Sequence, residues 1–298
     1  MSFLEDAAIA RLQAVANWPE FDDARYTIVD EIGRGGMGVV YLARDERLAR
    51  EVAIKVSNGM PGADVERRLN DEGRILASLE HPGIVPIHDA GRLADGRLFY
   101  VMKRVRGATL PEHLEQVPSL SERLGIFERI CDAVNFAHAH GVVHRDLKPD
   151  NVMIGPFGEV LVMDWGAALT RGTRDVETVL GTRGFMAPEQ ERAEKTDARA
   201  DVYSLGAVLA WLAGERTPRP VRAICTRAMA AAPADRYASA AAVAADVARF
   251  RAGHAVDAHP ESTFERLARF ARTYRAAILL ILAYIIMRAV VAYFSSGS

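Results

Sequence analysis

Short runs of β-branched and other apolar residues occupy the first hundred positions of the chain, and longer runs with a helical period follow them. The short runs are typical of β-strands, because branched side chains pack well on a pleated surface. They predict strands over 26–29, 39–42, 52–56, 84–91 and 98–103. Residues 64–79 have a helical pattern, which His81-Pro82-Gly83 ends. After that the pattern is mostly helical, over 120–140, 200–213, 220–232 and 239–251.

The two ends of the chain carry patterns of their own. Residues 4–17 predict a short amphipathic helix, which we interpret as an accessory element within residues 1–25. In 262–275 several apolar side chains share one helical face and arginines spread over the rest, which makes 254–275 a basic amphipathic segment. Residues 276–294 are apolar except for Arg288. A helix of that length spans roughly 28 Å, about one hydrocarbon core.

We therefore predict a transmembrane helix over 276–294. The arginines ahead of it predict a location at the cytoplasmic membrane, with the preceding domain facing the cytoplasm and 254–275 as the juxtamembrane segment. Two alternatives stay open: the helix lies in the membrane interface, or it packs on the folded domain or on a second copy. A cytoplasmic protein is the alternative location.

The composition is that of an ordinary globular protein. The 298 residues are 50% apolar and 26% charged, enough for one large or two small domains. The formal charge of −2, from 37 basic and 39 acidic side chains, gives no reason to expect nucleic-acid binding. Cys131 and Cys225 are too few for a disulfide framework or a cysteine metal cluster, and we interpret both as buried in a reducing compartment.

Three glycines, Gly33, Gly35 and Gly38, stand at the spacing G-x-G-x-x-G between the first two predicted strands. Backbone without a Cβ approaches a phosphate closely, so the spacing indicates a nucleotide-binding loop. A dinucleotide-binding turn has the same spacing, but there the glycines open a helix, whereas here they lead into the strand Val39-Val40-Tyr41. A purely structural hairpin is the other alternative.

Lys55 lies in the middle of a predicted strand, where an unpaired lysine is costly to bury. It therefore needs anions, a phosphate on one side and a carboxylate on the other. The candidate carboxylate is Glu72 in the helical run 70–76, and the alternative of a solvated surface glutamate stays open. Lysine is rare in the chain, and the four lysines are Lys55, Lys103, Lys148 and Lys195.

Residues 144–151 read His-Arg-Asp-Leu-Lys-Pro-Asp-Asn, and Asp164-Trp165-Gly166 follows an apolar strand. A charged surface turn would account for the first motif alone, but not for the aspartate downstream. Together with the glycine loop and Val52-Ala53-Ile54-Lys55, these motifs resemble the protein kinase signature. The resemblance is to the bacterial serine/threonine kinases of eukaryotic type, the Hanks-type family, and it runs from about Tyr26 to Gly253.

The resemblance implies an α+β, two-lobed fold, to which the C-terminal apolar helix is added. A small β-rich N-lobe is expected over about 26–103 and a larger helical C-lobe over about 106–253, within a kinase domain spanning 26–253. The resemblance also implies an enzyme that transfers the γ-phosphoryl group of ATP to serine or threonine hydroxyls of proteins. Mg²⁺ is the expected metal ion, with Mn²⁺ as a substitute.

By the same resemblance, Asp146 accepts the proton of the substrate hydroxyl, and Lys148 steadies the transferred phosphoryl group. Lys55 and Glu72 form the pair that grips the ATP phosphates. The expected metal ligands are Asn151 and Asp164. The residues expected to contact ATP are Ile32, Gly33, Gly35, Gly36, Gly38, Val40, Ala53, Lys55, Met102, Lys103 and Val105.

The segment from Asp164 to Ala187-Pro188-Glu189 resembles the activation segment of the family. Arg145 beside Asp146 is typical of control by loop phosphorylation, since an arginine forms charge-assisted bonds with a phosphothreonine. The candidate phosphorylation sites are Thr170, Thr173 and Thr178.

Four further residues are expected to support this machinery rather than perform the reaction. Thr182 is expected to face the substrate and to contact the catalytic loop. Glu189 is expected to form a structural pair with Arg236, and Asp201 is expected to brace the catalytic loop.

Two features depart from the family pattern. Trp165 stands where phenylalanine is usual, and 214–220 is short where related kinases place more chain, including a helix that helps to seat substrates. These departures keep one alternative open, a nucleotide-binding pseudokinase scaffold at the membrane. A kinase that acts on small molecules is disfavoured by Lys148 and the Thr182 segment. The sequence does not identify the protein substrates, and it leaves room for self-association that allows trans-autophosphorylation.

Overall fold

The computed structural model of the protein describes residues 18–21, 24–35, 38–58, 63–117, 119–170, 181–263, 266, 267, 269 and 274–295. They form a small lobe built on one β-sheet and a larger lobe built mainly of helices. This is the order of elements that the sequence predicts. The helix predicted over 4–17 lies outside the described residues.

The small lobe is a five-stranded antiparallel sheet with the strand order β1-β2-β3-β5-β4. Its strands are β1 (Tyr26–Arg34), β2 (Gly38–Asp45), β3 (Arg50–Ser57), β4 (Ile87–Arg92) and β5 (Leu98–Lys103). The strand predicted over 84–91 begins only at Ile87. Ile84 instead forms an isolated parallel bridge with Val162 of the large lobe, so this stretch joins the two lobes.

Side chains of a strand point alternately to the two faces of its sheet, and here each face has a different partner. The outer face carries an apolar cluster of its own, against which Trp18 and Phe21 pack. On the inner face Ala53, Tyr100 and Met102 belong to the main core of the protein. Helix α1 (Ala63–Ser78) packs on the sheet through β3, β4 and β5.

The large lobe is organised around three helices that pack against one another. Their bounds are α3 (Leu120–Ala139), α5 (Ala198–Ala213) and α7 (Ala240–Arg251). The shorter helices are α2 (Leu110–Leu114), α4 (Pro188–Glu191) and α6 (Arg219–Ala228). Fully buried Phe127, Leu205 and Val243 belong to the same core as Tyr100, so one apolar interior runs from the sheet to α7.

Short strands and 3₁₀ turns carry the loops at the boundary of the lobes. One small sheet has the order β6 (Ala108–Thr109), β8 (Val152–Ile154), β9 (Val160–Val162), and another pairs β7 (Val142–Val143) with β10 (Leu169–Thr170). The 3₁₀ turns are Pro149–Asn151, Trp165–Ala167 and Pro233–Asp235. Strands β7 and β8 flank the motif at 144–151, and β9 precedes the segment that begins at Asp164.

Several predicted helix ends move by a few residues, for local reasons. Helix α5 begins at Ala198 because the Asp197 carboxylate caps it by accepting the N–H of Arg199. It ends at Gly214, whose φ of +70° favours glycine. Helix α6 begins at Arg219, directly after Pro218, and ends at Ala228 rather than at 232. The connection between α5 and α6 is as short as the sequence predicts.

The C-terminal segment is helical as α8 (Arg275–Ser295). Its large apolar side chains from Leu279 to Met287 are exposed, at 49–72% of their full accessibility. Within the described residues, however, no helix combines the length and the apolar character that crossing a membrane requires. The predicted transmembrane span over 276–294 is therefore not confirmed.

Glu189 and Arg236 form a bidentate ion pair inside the large lobe, with Nη1–Oε1 and Nη2–Oε2 distances of 2.6 and 2.7 Å. The Arg236 side chain is fully buried, and its guanidinium also donates to the carbonyl oxygens of Ala230 and Arg199. A buried guanidinium needs all of these acceptors, because an unpaired charge in the interior is strongly destabilising. The pair ties the start of α4 to the loop before α7.

Replacing Arg236 by alanine should lower the free energy of unfolding by about 3–5 kcal/mol, because Glu189 is then buried without its partner. Urea denaturation of the full chain measures the change. The matched control is Arg192→Ala, which breaks the exposed pair between Arg192 and Glu194 and should leave stability almost unchanged. Equal stabilities of the two variants would show that the buried pair has no structural importance.

Candidate active site

Lys55 is the centre of a group of charges that three elements bring together. Its Nζ lies 2.8 Å from each carboxylate oxygen of Glu72 and 3.3 Å from Oδ1 of Asp164. Lys55 comes from the middle of β3, Glu72 from α1, and Asp164 from the loop after β9. Lys55 and Glu72 are 8% and 2% exposed, so the pair is shielded from water.

The pKa values in this group favour the charged forms of Lys55 and Asp164. Burial by itself would lower the pKa of Lys55, but the Glu72 and Asp164 carboxylates outweigh it and the pKa is raised. Burial likewise acts to raise the pKa of Asp164, and Lys55 reverses this, so that the pKa lies below its usual value. At Glu72 burial outweighs the attraction of Lys55, and the pKa of this carboxyl is raised. The half-exposed Asp164 carboxylate is therefore the group that offers negative charge to a cation.

Tyr100 is a member of this group that the sequence did not indicate. The Lys55 Nζ lies 5.9 Å from the centre of its ring, and the Glu72 carboxylate is near enough to affect the pKa of its hydroxyl. Burial, followed by the Glu72 carboxylate, raises the pKa of Tyr100 well above its usual value, so the hydroxyl remains a donor. In the β3–β5 pairing Tyr100 is directly opposite Lys55, and only that register would have pointed to it.

Asp146, Lys148 and Thr182 form a second group, close to the first. The Thr182 hydroxyl donates to Oδ1 of Asp146 at 2.9 Å. The Lys148 Nζ lies 2.7 Å from the same hydroxyl oxygen and 3.2 Å from Oδ2 of Asp146. A carboxylate and an ammonium group therefore converge on one hydroxyl oxygen. This arrangement can accept a hydroxyl proton while it neutralises nearby negative charge.

Asn151 is held against Asp146 from the far end of the same loop. Its Nδ2 donates to the carbonyl oxygen of Asp146 at 2.8 Å and approaches the Oδ2 atom at 3.3 Å. The side-chain oxygen of Asn151 is then the atom that a metal ion would take. Among the described residues no group of three or more His, Cys, Asp or Glu side chains is arranged to hold a metal alone.

The residues present fit Mg²⁺ in another way. Asp164 has a half-exposed carboxylate with a lowered pKa, and Asn151 offers an amide oxygen. Hard divalent cations take oxygen ligands, and Mg²⁺ is commonly bound by one or two protein oxygens together with substrate phosphates and water. Asn151 and Asp164 are therefore the side chains that would hold Mg²⁺ here, with nucleotide phosphates completing the coordination.

Asp201 fixes the backbone of the loop that carries Asp146. Its Oδ2 accepts the N–H of His144 at 2.8 Å and lies 2.7 Å from Nε2 of His138, while Oδ1 accepts the N–H of Arg145 at 2.8 Å. Arg145 has a φ of +67°, a left-handed conformation that is unfavourable for an arginine. The fully buried carboxylate therefore stabilises a backbone shape that the loop would not adopt alone.

Burial by itself would raise the pKa of Asp201. The hydrogen bond and electrostatic attraction of His138, together with those of His144, outweigh burial and hold the pKa of Asp201 below its usual value.

The Trp165 ring, which is larger than the usual phenylalanine at this position, is buried beside Asp164. The ring is 1% exposed and lies 4.6 Å from the His144 ring, centre to centre. Its Nε1–H donates to the carbonyl oxygen of Val162 at 3.2 Å, so the added polar group has a partner. His144 in turn is hydrogen-bonded through Nε2 to the carbonyl oxygen of Met163. The tryptophan thus occupies an apolar slot without leaving an unsatisfied donor.

The glycine loop joins β1 to β2 above this group, and its glycines serve different purposes. A Cβ on Gly38 would lie 2.4 Å from the carbonyl oxygen of Val56, so close strand packing demands glycine there. A Cβ on Gly35 would meet nothing within 4 Å, and the Gly35 N–H donates to the carbonyl oxygen of Gly38 at 2.9 Å. Gly36 lies outside the described residues.

The other predicted ATP contacts are spread over the inner face of the sheet and its edge. Ala53 and Met102 pair across β3 and β5, and Val40 and Val105 pack against the main core with them. Gly33 lies opposite Val40 in the β1–β2 pairing. Ile32 and Lys103 are exposed, and the N–H of Lys103 donates to the carbonyl oxygen of Pro86.

Of the predicted phosphorylation sites, Thr173 and Thr178 lie outside the described residues, and Thr170 ends β10. The backbone near Asp146 is held from the other end of the segment: Nε2 of Gln190 donates to the carbonyl oxygen of Arg145 at 2.8 Å. The Arg145 Nε donates to the carbonyl oxygen of Ala167 at 2.6 Å. The loop of Asp146 therefore contacts both ends of the segment between Asp164 and Glu189.

Comparison with known proteins agrees with this arrangement. Residues 26–239 match the family model described as the protein kinase domain. The chain is 36% identical over 285 residues to serine/threonine-protein kinase PknB of Mycolicibacterium smegmatis, covering 80% of this chain and 45% of that protein. PknB of Mycobacterium leprae is 37% identical over 284 residues, with the same coverage. PknD of Chlamydia caviae is 31% identical over 286 residues, covering 75% of this chain and 31% of that protein. The chain spans less than half the length of these curated relatives.

Stability at low pH should depend on Asp201. Because its folded-state pKa is lowered, its contribution is present above about pH 4 and is lost as the pH falls through the folded pKa. Asp201→Asn should be less stable at pH 7 by about 1.5–3 kcal/mol for each charged hydrogen bond lost. It should also lose less stability than the wild type between pH 5 and pH 3, as urea titrations at several pH values would measure. Identical acid slopes for both proteins would contradict this account.

Proposed function

Since the chain belongs to the protein kinase family, among the bacterial serine/threonine kinases of eukaryotic (Hanks) type, we propose that it transfers the γ-phosphoryl group of ATP to serine or threonine hydroxyls of proteins. The observation that carries this proposal is the convergence of Asp146 and Lys148 on the oxygen of a threonine hydroxyl, at 2.9 and 2.7 Å. A substrate hydroxyl at this position would meet both a proton acceptor and a positive charge.

We assign the steps of the reaction to these side chains as follows. The substrate hydroxyl oxygen attacks the γ-phosphorus, its proton passes to Oδ1 of Asp146, and the bond to the bridging oxygen of ADP breaks. Lys148 offsets negative charge on the transferred group. Lys55, oriented by Glu72, binds the phosphates that remain with the nucleotide. When bound at Asn151 and Asp164, Mg²⁺ would neutralise the phosphate charge.

The choice of serine or threonine over tyrosine rests on Lys148, two residues after Asp146, and on the names of the relatives, all serine/threonine-protein kinases.

The nucleotide base is proposed to bind between the sheet and the large lobe, near Ala53, Met102 and Val105. The kinase domain is proposed to cover 26–253. Hydrogen bonds from the N–H groups of Asp257 and Ala258 to Asp246 support an ordered end slightly beyond it.

We propose that phosphorylation of Thr170, Thr173 or Thr178 controls activity, by trans-autophosphorylation between two copies. Support for this comes from the contacts of Arg145, whose side chain and carbonyl oxygen bond to opposite ends of the activation segment. A phosphate near that arginine would gain charge-assisted hydrogen bonds. Protein substrates other than the chain itself remain to be identified by experiment.

Asp146→Asn should reduce phosphoryl transfer by about 10²–10⁴-fold, because the variant lacks the proton acceptor, while ATP binding is retained. Transfer of labelled phosphate from Mg-ATP to the chain itself and to a generic basic protein measures the effect. Asp150→Asn is the matched control, since Asp150 is exposed in the same loop and should stay active. If the wild type binds Mg-ATP without transferring phosphate, the protein is a nucleotide-binding scaffold and the proposal fails.

We also propose that α8 attaches the kinase to a membrane. Its exposed side chains include four consecutive residues, Leu279, Leu280, Ile281 and Leu282, which point to all sides of a helix. Apolar side chains on several sides of a helix need an apolar surrounding, and a helix that lies in the membrane interface gains one without crossing the membrane. A protein partner that covers a single face would leave the other apolar side chains in water.

Full-length protein should float with lipid vesicles, and Ile281→Asp or Ile285→Asp should weaken this binding about tenfold or more, because aspartate is costly to transfer into lipid. Leu48→Asp is the matched control, since Leu48 is an exposed apolar residue of the small lobe and its replacement should not change flotation. If the α8 variants float with the vesicles as well as the wild type does, attachment through this helix is refuted.

A further inference from the structure

The exposed side of α6 is strongly basic. Residues 214–228, which are this helix and the turn before it, contain four exposed arginines and one acidic residue, Glu215. The arginines are Arg216 in the turn and Arg219, Arg222 and Arg227 in the helix. The opposite side of α6 is apolar and buried, through Val221, Ile224, Cys225 and Ala228. We refer to Arg219, Arg222 and Arg227 as the arginine face of α6.

The fold does not account for two of these arginines. Among the described residues, neither Arg219 nor Arg222 forms an ion pair. Arg222 donates one hydrogen bond, at 3.3 Å, to the carbonyl oxygen of Thr217, although a guanidinium has five N–H donors. Arg219 is the first residue of α6 and Arg222 lies one turn further on, near the helix end where the dipole disfavours positive charge. Both side chains are therefore available to an anion from outside the domain.

The arginine face forms one wall of a surface hollow. The hollow has a volume of ≈ 650 Å³, and residues 257–259 form its other wall. Asp257 on that wall is already paired with Arg249, with 2.5 Å between Oδ2 and Nη1. The carboxylate is thus compensated, while the charges of Arg219 and Arg222 are not. The hollow has an excess of positive charge, and arginines bind phosphate groups through charge-assisted hydrogen bonds.

The second wall of the hollow belongs to the part of the chain that leads to α8. His259 lines both this hollow and a neighbouring cavity of ≈ 850 Å³, which Arg269 also lines. Helix α8 begins shortly afterwards, at Arg275. Arg266 and Arg275 are exposed, and neither forms an ion pair within the part of the chain that the structure describes. Unpaired positive charge therefore recurs from α6 to the start of the helix proposed to attach to a membrane.

Anionic phospholipids match this distribution of charge. A membrane surface presents many phosphate groups in one layer, so it can bind arginines on α6 and arginines ahead of α8 together. Each arginine near an anionic lipid surface strengthens binding about fivefold. An acidic protein segment would match the charge of α6 as well, but it would not explain why unpaired arginines also stand at Arg266 and Arg275.

We propose that the arginine face of α6 is a binding site for the phosphate groups of anionic phospholipids. It holds the large lobe against the membrane surface to which α8 attaches. The proposal rests on the proposed membrane location of the chain, and it is independent of phosphoryl transfer.

Binding of the full chain to lipid vesicles tests the proposal. Vesicles with about 30% phosphatidylglycerol in phosphatidylcholine should bind the wild type at least about tenfold more strongly than phosphatidylcholine alone. Raising the salt to about 0.5 M should remove this difference, because screening then acts within a few ångströms. Equal binding to both kinds of vesicle at low salt would overturn the proposal.

Replacing Arg219 and Arg222 together by glutamine assigns the effect to α6. The double variant should bind the anionic vesicles about thirtyfold more weakly than the wild type, with unchanged binding to phosphatidylcholine. The matched control replaces Arg44 and Arg47 by glutamine, which removes the same charge from exposed residues of the small lobe and should leave binding unchanged. An equal loss in the two double variants would mean that only net charge matters, and the proposal would fail.

Ile281→Asp separates this site from the attachment through α8. The preference of this variant for anionic vesicles should persist and should again fall about thirtyfold when Arg219 and Arg222 are replaced. Anionic binding that depends on these arginines but not on Ile281 would refute attachment through α8 and retain the lipid site. Binding that depends on Ile281 but not on lipid charge would retain the attachment and overturn the lipid site.

Two further measurements distinguish lipid from other anions. Inorganic phosphate at constant ionic strength should not release the protein from anionic vesicles, and release would assign the hollow to a soluble anion instead. Phosphorylation of an acidic protein without vesicles should be the same for the wild type and the variant with Arg219 and Arg222 replaced. If that phosphorylation falls while vesicle binding is retained, the arginine face binds protein and the proposal is wrong.

Discussion

The ion pair between Lys55 and Glu72 is the contact on which the rest of the structure depends. It joins the middle of β3 to α1, and the second carboxylate on the same Nζ, from Asp164, joins both to the large lobe. An ammonium group buried at 8% exposure is stable only with such partners. The position of α1 and the closeness of the lobes are thus set by the need to compensate one charge. Tyr100, directly opposite Lys55 in the β3–β5 pairing, lies beside the same charged group.

In the large lobe the buried carboxylate of Asp201 fixes the structure, as the Lys55–Glu72 pair does between β3 and α1. Asp201 holds the left-handed backbone at Arg145 with two N–H bonds and contacts His138, while Gln190 holds the same residue from the activation segment. The polar groups of the loop therefore have acceptors, although much of the loop is buried. Asp146 and Lys148 take their positions from this frame. Asp146 and Lys148 are half-buried, and the buried carboxylate of Asp201 fixes the backbone on which they stand.

Much of this arrangement was predicted from the sequence, for a simple reason. Strand and helix periodicity is local, so the sheet lobe and the helical lobe were predicted in the right order. The motifs around Lys55, Asp146 and Asp164 contain charged residues, which are costly to bury without a partner. Element ends were less accurate, because a cap such as Asp197 or a bridge such as Ile84–Val162 decides them. The predicted membrane span is not confirmed among the described residues.

The sequence by itself determined which chemical groups the protein has and the elements on which they lie, because these depend on residue type and local spacing. The tertiary structure alone decided that the Tyr100 ring lies 5.9 Å from the Lys55 Nζ, that Gly38 is required by the carbonyl oxygen of Val56, and that a groove separates α1 from β4 and β5. These contacts depend on the register between strands and on the packing of a helix against a sheet. Both are set by non-local pairing, which leaves no periodic signal along the chain.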